Sequence, residues 1–304
     1  MALPVAITCG DPAGVGPELI QSILSKPLGL ECPLVVIGPR SWLTGCSFDP
    51  SNRVECVEVE DVTFESVLGE PTDTGARVAI NAMEIAAEGC LSGRFAAVVT
   101  GPISKANCVR VGYQYPGQTE FFAARWGGQP SMGFVGECLK VILATWHIPL
   151  KDVASALDRA CIQLAVQRAY DLCKRLGIAE PRIAVCGLNP HAGEEGILGN
   201  EELELIDPLL DELRCAMPGL SRCLPGDTVF GRVAKGEYDV AVAMYHDQGL
   251  APLKTVDFDT AVNVSLGLPY VRTSPDHGTA YDIAGKGLAS ANSFRRAIVL
   301  AAQL

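Results

Sequence analysis

Short runs of β-branched and apolar residues alternate along this chain with longer stretches in which apolar positions recur at helical spacing. Runs of the first kind read as strands and stretches of the second as amphipathic helices, so the alternation predicts an α/β fold. The predicted strands are Val5 to Cys9, Leu34 to Ile37, Ala96 to Thr100, Val141 to Thr145, Arg182 to Cys186, Asp239 to Ala243 and Val262 to Ser265. The predicted helices are Pro17 to Ser25, Thr74 to Glu88, Lys151 to Leu176, Glu201 to Ala216 and Ser290 to Gln303. Pro17 and Glu18 suit a first helical turn, one by its fixed φ and the other by its charge at the positive end of the helix dipole. No solenoid-length repeat and no Ser/Gly-rich linker divides the chain. Two domains, if present, are expected to interweave, with an active site in the cleft.

Composition narrows the class. The 304 residues are 48% hydrophobic and 19% charged, with 31 glycines and 20 prolines, as in a turn-rich globular enzyme. The formal net charge of −11 carries no basic face for nucleic acid or an anionic membrane, so neither is expected as a partner. An anionic ligand must be held by a local cluster of donors. The amino terminus lacks a basic start, and its apolar stretch is too short for a signal peptide or membrane span, so a cytoplasmic protein is expected. Twelve cysteines sit in apolar runs without a Cys-x-x-Cys pair, and are expected to be reduced and mostly buried.

All four histidines lie in loop-like segments just after short apolar runs: Thr-Trp-His147-Ile-Pro, Asn-Pro-His191-Ala-Gly, Met-Tyr-His246-Asp-Gln and Pro-Asp-His277-Gly-Thr. The carboxyl ends of strands are where α/β proteins gather ligands, and imidazole is the commonest metal ligand. Three converging imidazoles would make an open divalent-metal site, although no local spacing enforces convergence. The run Gly10-Asp11-Pro12-Ala13-Gly14-Val15-Gly16-Pro17-Glu18 follows a strand and opens a helix. It reads either as an anion-facing turn or as a tight strand-to-helix turn, and its spacing is not the dinucleotide fingerprint. Thr100-Gly101-Pro102-Ile103-Ser104-Lys105 has the same layout, with Lys105 able to reach a phosphate or to face solvent. In Gly117-Gln118-Thr119-Glu120, Thr119 reads as a helix cap or a ligand contact. Lys254, Asn263 and Arg272 bracket a strand, and Arg272 has the fork geometry for clamping phosphate or carboxylate.

Taken in order, these motifs, with Gly-Leu-Asn-Pro-His-Ala-Gly-Glu, Met-Tyr-His-Asp-Gln-Gly-Leu and the run Val262 to Gly278, resemble the PdxA family, the 4-hydroxythreonine-4-phosphate dehydrogenases of vitamin B6 biosynthesis. The run from His277 through Tyr281 and Asp282 also resembles the adenine-side NAD loop of isopropylmalate and isocitrate dehydrogenases. The resemblance implies two interwoven α/β/α domains with a cleft between them, isopropylmalate dehydrogenase-like. Residues 1–128 with 264–304 would form the first and carry the cofactor loop; residues 129–263 would form the second, with the metal and dimer side. It implies NAD or NADP and one divalent ion, zinc, magnesium or cobalt, held by His147, His191 and His246. Two of these would come from one subunit and the third from its mate, so the active site is shared across a homodimer. His277, Gly278, Asp282 and Gly14 would face the cofactor, and Gln118, Thr119, Lys254, Asn263 and Arg272 the small phosphorylated substrate. Many members have Gly-His-Thr-Glu where this chain has Gly-Gln118-Thr-Glu.

The implied reaction is oxidation of 4-phosphooxy-L-threonine at its C3 hydroxyl, then loss of CO₂ to give 3-amino-2-oxopropyl phosphate. Asp247 and Lys105 are the candidate proton acceptors, with a metal-bound water as the alternative. The alternatives are a dehydrogenase of phosphorylated erythronate or threonate, a metal-dependent hydrolase, and a small-molecule binding protein. A phosphotransacetylase-like transferase rests on fold analogy alone.

Overall fold

The structure is a computed structural model that describes residues 2–59 and 66–304. Its strands, in chain order, are β1 Val5–Thr8, β2 Leu34–Pro39, β3 Val54–Val59, β4 Ala97–Thr100, β5 Ser131–Val135, β6 Lys140–Leu143, β7 Ile183–Cys186, β8 Leu220–Leu224, β9 Val240–Ala243, β10 Val262–Leu266 and β11 Val271–Pro275. Helices separate most of them, so the α/β class expected from the alternation is what the chain forms. It divides into two compact units, Met1–Pro130 with Val262–Leu304, and Ser131–Ala261.

In the first unit β3, β2, β1, β4 and β11 run parallel in that spatial order, and β10 pairs antiparallel with β11. Every residue of β1 and β4 is buried, as expected of strands covered on both faces. The helix Asp73–Leu91 packs on β2, β1 and β4, and the helix Asn292–Gln303 packs on β11, β4 and β1. Ala76, Val78, Ala82, Met83 and Ala86 of the former meet Ala6, Val35, Ile37 and Val98 in the core. The alanines among them let the helix lie close to the sheet.

In the second unit β6, β9, β7 and β8 run parallel side by side, and β5 forms an antiparallel hairpin with β6. Helices Gly226–Ala234 and His246–Val256 bury Val229, Phe230, Val233, Leu250 and Leu253 against Val141, Leu143, Ala184 and Ala241. The helix Arg159–Arg175 also packs on β6, β7 and β9.

Two predicted helices are broken. The span Lys151 to Leu176 is interrupted at Leu157 and Asp158, because the Asp158 carboxylate accepts from the Cys161 amide at 2.7 Å and starts the helix Arg159–Arg175 there. The span Glu201 to Ala216 opens as a π-helical turn over Glu202–Ile206 and becomes an α-helix only over Asp207–Leu213. All twelve cysteines are free, six of them buried, and Cys56, Cys138 and Cys215 are exposed.

Candidate active site

Strands β6, β9 and β7 are parallel neighbours, so their carboxyl ends share one edge of the sheet. His147, His246 and His191 each follow one of these ends by a few residues. His147 is held at φ +52, a conformation that non-glycine residues seldom adopt outside constrained sites. His246 is not in a loop, contrary to the sequence expectation: it is the first residue of the helix His246–Val256, entered from an extended Tyr245. The His147 and His246 rings lie 5.7 Å apart, centre to centre. Asp247 Oδ1 lies 2.7 Å from His246 Nδ1. A carboxylate there favours the proton on Nδ1 and leaves Nε2 as a lone-pair donor.

His191 sits in an unusual turn. His191, Ala192, Gly193, Glu194 and Glu195 all have positive φ, between 44° and 80°. Each non-glycine residue in the left-handed region costs about 1–2 kcal/mol, so surrounding contacts must impose the turn. The turn brings Glu194 Oε2 to 3.3 Å from His191 Nδ1, again leaving Nε2 as the donor. A hollow of about 430 Å³ is lined by Trp146, His147, Tyr245 and His246. A larger one of about 770 Å³ is lined by Asn189, His191, Phe230 and Gln248, and Tyr245 and Asp247 line both. Among the described residues no three His, Cys, Asp or Glu side chains gather as a metal site. The His147 and His246 rings thus meet within one chain, and among the described residues no third such side chain gathers with them. His191 and His246, whose Nδ1 atoms face Glu194 and Asp247, have the chemistry of donors to a divalent ion, and His147 adds a further imidazole beside His246.

The first unit holds a different feature. Arg272, on β11 and only 4% exposed, donates from Nε and Nη2 to Thr100 Oγ1 at 3.1 and 2.6 Å. Its Nη1 donates to Asn263 Oδ1 and Ser265 Oγ at 3.1 and 3.3 Å, and Nη2 to Gln118 Oε1 at 2.9 Å. All these acceptors are neutral, and among the described residues no carboxylate lies at ion-pair distance. Burial pulls the guanidinium down to about 10, with Tyr113 and Glu120 acting the other way, so it stays cationic at neutral pH. A buried cation lacking a counter-ion is expensive unless an anion completes it. Since a guanidinium only donates, the Gln118 amide oxygen faces it, and the amide nitrogen donates to the Gly101 carbonyl at 3.2 Å.

Thr119 does not cap the helix Gln118–Trp126: Gly117 occupies the cap position, and the buried Thr119 hydroxyl bonds Ser265 Oγ at 2.8 Å. Arg272 and Asn263 lie on opposite strands of a hairpin, not around one strand. Ser265 escaped the sequence reading because it sits inside an ordinary strand pattern, and only the hairpin register, Ser265 opposite Arg272, reveals it; Thr100 reads in the sequence as part of a turn motif, and its contact with Arg272 comes from β4 lying beside β11. Lys254 lies on the helix His246–Val256, its ammonium 5.8 Å from the Phe258 ring centre, and Lys105 is exposed at the start of Lys105–Arg110.

The glycine-rich turn serves the protein's own backbone. A Cβ on Gly10 would stand 2.4 Å from the Pro102 carbonyl oxygen, and one on Gly14 would stand 2.7 Å from that of Thr279. Val15 N donates to Thr279 O at 2.9 Å, Tyr281 Oη to Asp11 Oδ2 at 2.6 Å and Gly285 N to Glu18 Oε2 at 2.8 Å. Gly14 is thus brought against the loop that carries His277, Gly278 and Asp282. His277 Nδ1 faces the Gly278 carbonyl at 3.0 Å, while its Nε2 is buried without a hydrogen-bond partner among the described residues. That orphaned acceptor fits a ligand presenting an amine, as an adenine does. Burial pushes the Cys90 and Cys173 thiols up to about 12, which disfavours these two as nucleophiles.

The chain is similar to known proteins over nearly its whole length. A 4-hydroxythreonine-4-phosphate dehydrogenase of Erwinia tasmaniensis is 41% identical over 316 residues, covering 98% of this chain and 96% of its own. One from a Ruegeria species is 41% identical over 314 residues, covering 98% and 95%. The crystal structure of a protein of that name from Klebsiella pneumoniae superposes with a TM-score of 0.86 at 36% identity, covering 100% of this chain and 99% of that one. The profile of the pyridoxal phosphate biosynthetic protein PdxA matches residues 34–301, and the chain belongs to that family.

Proposed function

We propose that this protein oxidises 4-phosphooxy-L-threonine at C3 with NAD⁺ or NADP⁺, and that the 3-oxo acid loses CO₂ to give 3-amino-2-oxopropyl phosphate for pyridoxal phosphate biosynthesis. One observation carries the reading: a relative named for this reaction is 41% identical across 98% of the chain. The Arg272 cage and the His147–His246 pair supply the local chemistry it needs.

Arg272, Thr119, Asn263 and Lys254 take the anionic groups of the substrate, and Gln118 orients the guanidinium instead of adding a charge of its own. His147 and His246 of one subunit, with His191 of a twofold mate, would hold one divalent ion, making the homodimer the catalytic unit. His277, Gly278, Asp282 and Gly14 would line the dinucleotide site, with His277 Nε2 as an acceptor for the adenine amine. When bound, the ion supplies Lewis acidity toward substrate oxygen and the nicotinamide supplies the two-electron acceptor. Asp247 fixes the His246 tautomer. Lys105 is then the candidate to take the hydroxyl proton.

A second reading is a relative acting on phosphorylated erythronate or threonate. It is favoured by Gln118, whose amide hydrogens point toward Gly101 and which brings no imidazolium. Purified protein assayed with each substrate and NAD⁺ or NADP⁺ separates the two by cofactor reduction. Turnover of the aminated substrate, abolished by a chelator and restored by zinc, cobalt or magnesium, is expected. No cofactor reduction with it overturns the proposal, and metal-dependent hydrolysis without a dinucleotide would favour the hydrolase.

No helix among the described residues is long and apolar enough to cross a membrane.

A further inference from the structure

Glu202 is 1% exposed, yet no lysine or arginine pairs with it among the described residues. Its Oε1 accepts the Asn189 backbone N–H at 2.8 Å and its Oε2 accepts Asn189 Nδ2 at 2.9 Å, while Glu201 Oε2 takes the same amide nitrogen at 2.7 Å. The left-handed turn of His191 wraps this carboxylate. A Cβ on Gly187 would lie 3.0 Å from Glu202 Oε1 and one on Gly193 2.7 Å from Oε2, so both sides of the turn close directly on it. Glu202 opens the π-helical turn Glu202–Ile206, a local widening of the helix that recurs at functional sites. A buried carboxylate satisfied only by the donors of one asparagine, against a run of residues in a disfavoured conformation, holds that conformation in place.

We infer that Glu202 is a positioning residue for His191: it anchors Asn189 and, through the left-handed turn, fixes the direction in which His191 Nε2 is presented to the divalent ion. The inference rests on the proposed metal role of His191. It predicts that Glu202→Gln, which sets an amide donor against an Asn189 donor, weakens the metal site without touching a ligand.

The test is Co²⁺ binding to metal-free dimer by titration calorimetry, with the visible Co²⁺ spectrum as a second readout. Glu202→Gln is expected to weaken Co²⁺ binding by about 10- to 100-fold and to shift the spectrum, the range seen when outer-shell partners of metal ligands are removed. In a His191→Ala background the same change is expected to cost less than about twofold, since the ligand it acts through is gone. Should Glu202→Gln fold poorly, Asn189→Ser, which deletes the Nδ2 donor, is expected to weaken binding in the same direction by less.

Affinity unchanged in Glu202→Gln while His191→Ala loses at least about tenfold overturns the inference and leaves the metal reading standing. An undiminished loss from Glu202→Gln in the His191→Ala background also overturns it, by showing general loosening. If His191→Ala itself leaves Co²⁺ affinity and spectrum unchanged, the metal reading of His191 fails, and the inference with it.

Discussion

Arg272 carries an uncompensated charge, because among the described residues no carboxylate lies at ion-pair distance. Thr100, Gln118, Asn263 and Ser265 satisfy its donors without neutralising it, which preserves the guanidinium for an incoming anion. Gln118→Glu places a carboxylate in that cage. We expect KM for the phosphorylated substrate to rise by about tenfold or more with a smaller change in kcat, as loss of ground-state binding requires. Steady-state kinetics check this, and an unchanged KM would remove Arg272 from the substrate site. Gln118→Leu keeps the positive charge and is expected to raise KM less. The cage was half legible in the chain. Arg272, Asn263, Gln118 and Thr100 all stand in recognisable motifs, but Thr100 lies 172 residues from Arg272, and no spacing rule spans such a gap.

At the scale of elements, the helix carrying His246 and Lys254 is moored at its far end. Asp257, 3% exposed, accepts the backbone N–H groups of Glu137, Cys138 and Leu139 at 2.8 to 3.2 Å and so binds the β5–β6 hairpin to the end of that helix. Asp257→Asn turns one acceptor into a donor facing backbone donors, and is expected to destabilise the fold by about 2–3 kcal/mol in denaturant titration. At the opposite end of the parallel strands, Arg182 donates to both oxygens of Asp239 at 2.7 to 3.1 Å, joining the starts of β7 and β9. Partial burial works to raise the Asp239 carboxyl, but the hydrogen bonds and charge of Arg182 outweigh it and hold it below the usual value. A lowered folded pKa stabilises above the unfolded pKa and is lost as the pH falls through the lowered one. Asp239→Asn should therefore flatten the loss of stability below about pH 4, measured as denaturation midpoint against pH.

For the whole molecule, the His147–His246 pair within one chain makes the proposed sharing of a divalent ion between two subunits testable. Mixed dimers of a His191→Ala chain and a His147→Ala chain should regain one intact site each, because both lesions fall in the same site and spare the other. Dimers mixing His147→Ala with His246→Ala should regain one site by the same logic only if these two residues serve different sites; since they pair in one chain, each site keeps a lesion and activity stays lost. Activity after subunit exchange checks both, and recovery in the second mixture would reverse the assignment.

Seven strands were readable nearly to their ends because continuous apolar runs such as Ala-Val-Val-Thr have one stable fate, burial on both sheet faces. β3, β5 and β8 escaped because charged, polar or glycine residues interrupt their runs, and β11 because Val-Arg-Thr-Ser-Pro looks like surface until its partners are known. The chain alone determined the α/β alternation, the family and the histidines at strand ends, since each depends on residues close together in sequence. Only tertiary structure decided that His147 meets His246 while their own chain's His191 does not join them, that Thr119 is a buried contact and not a cap, and that Arg272 is ringed by neutral oxygens. Those outcomes depend on strand register and on backbone conformations imposed by distant contacts, which local propensity does not encode.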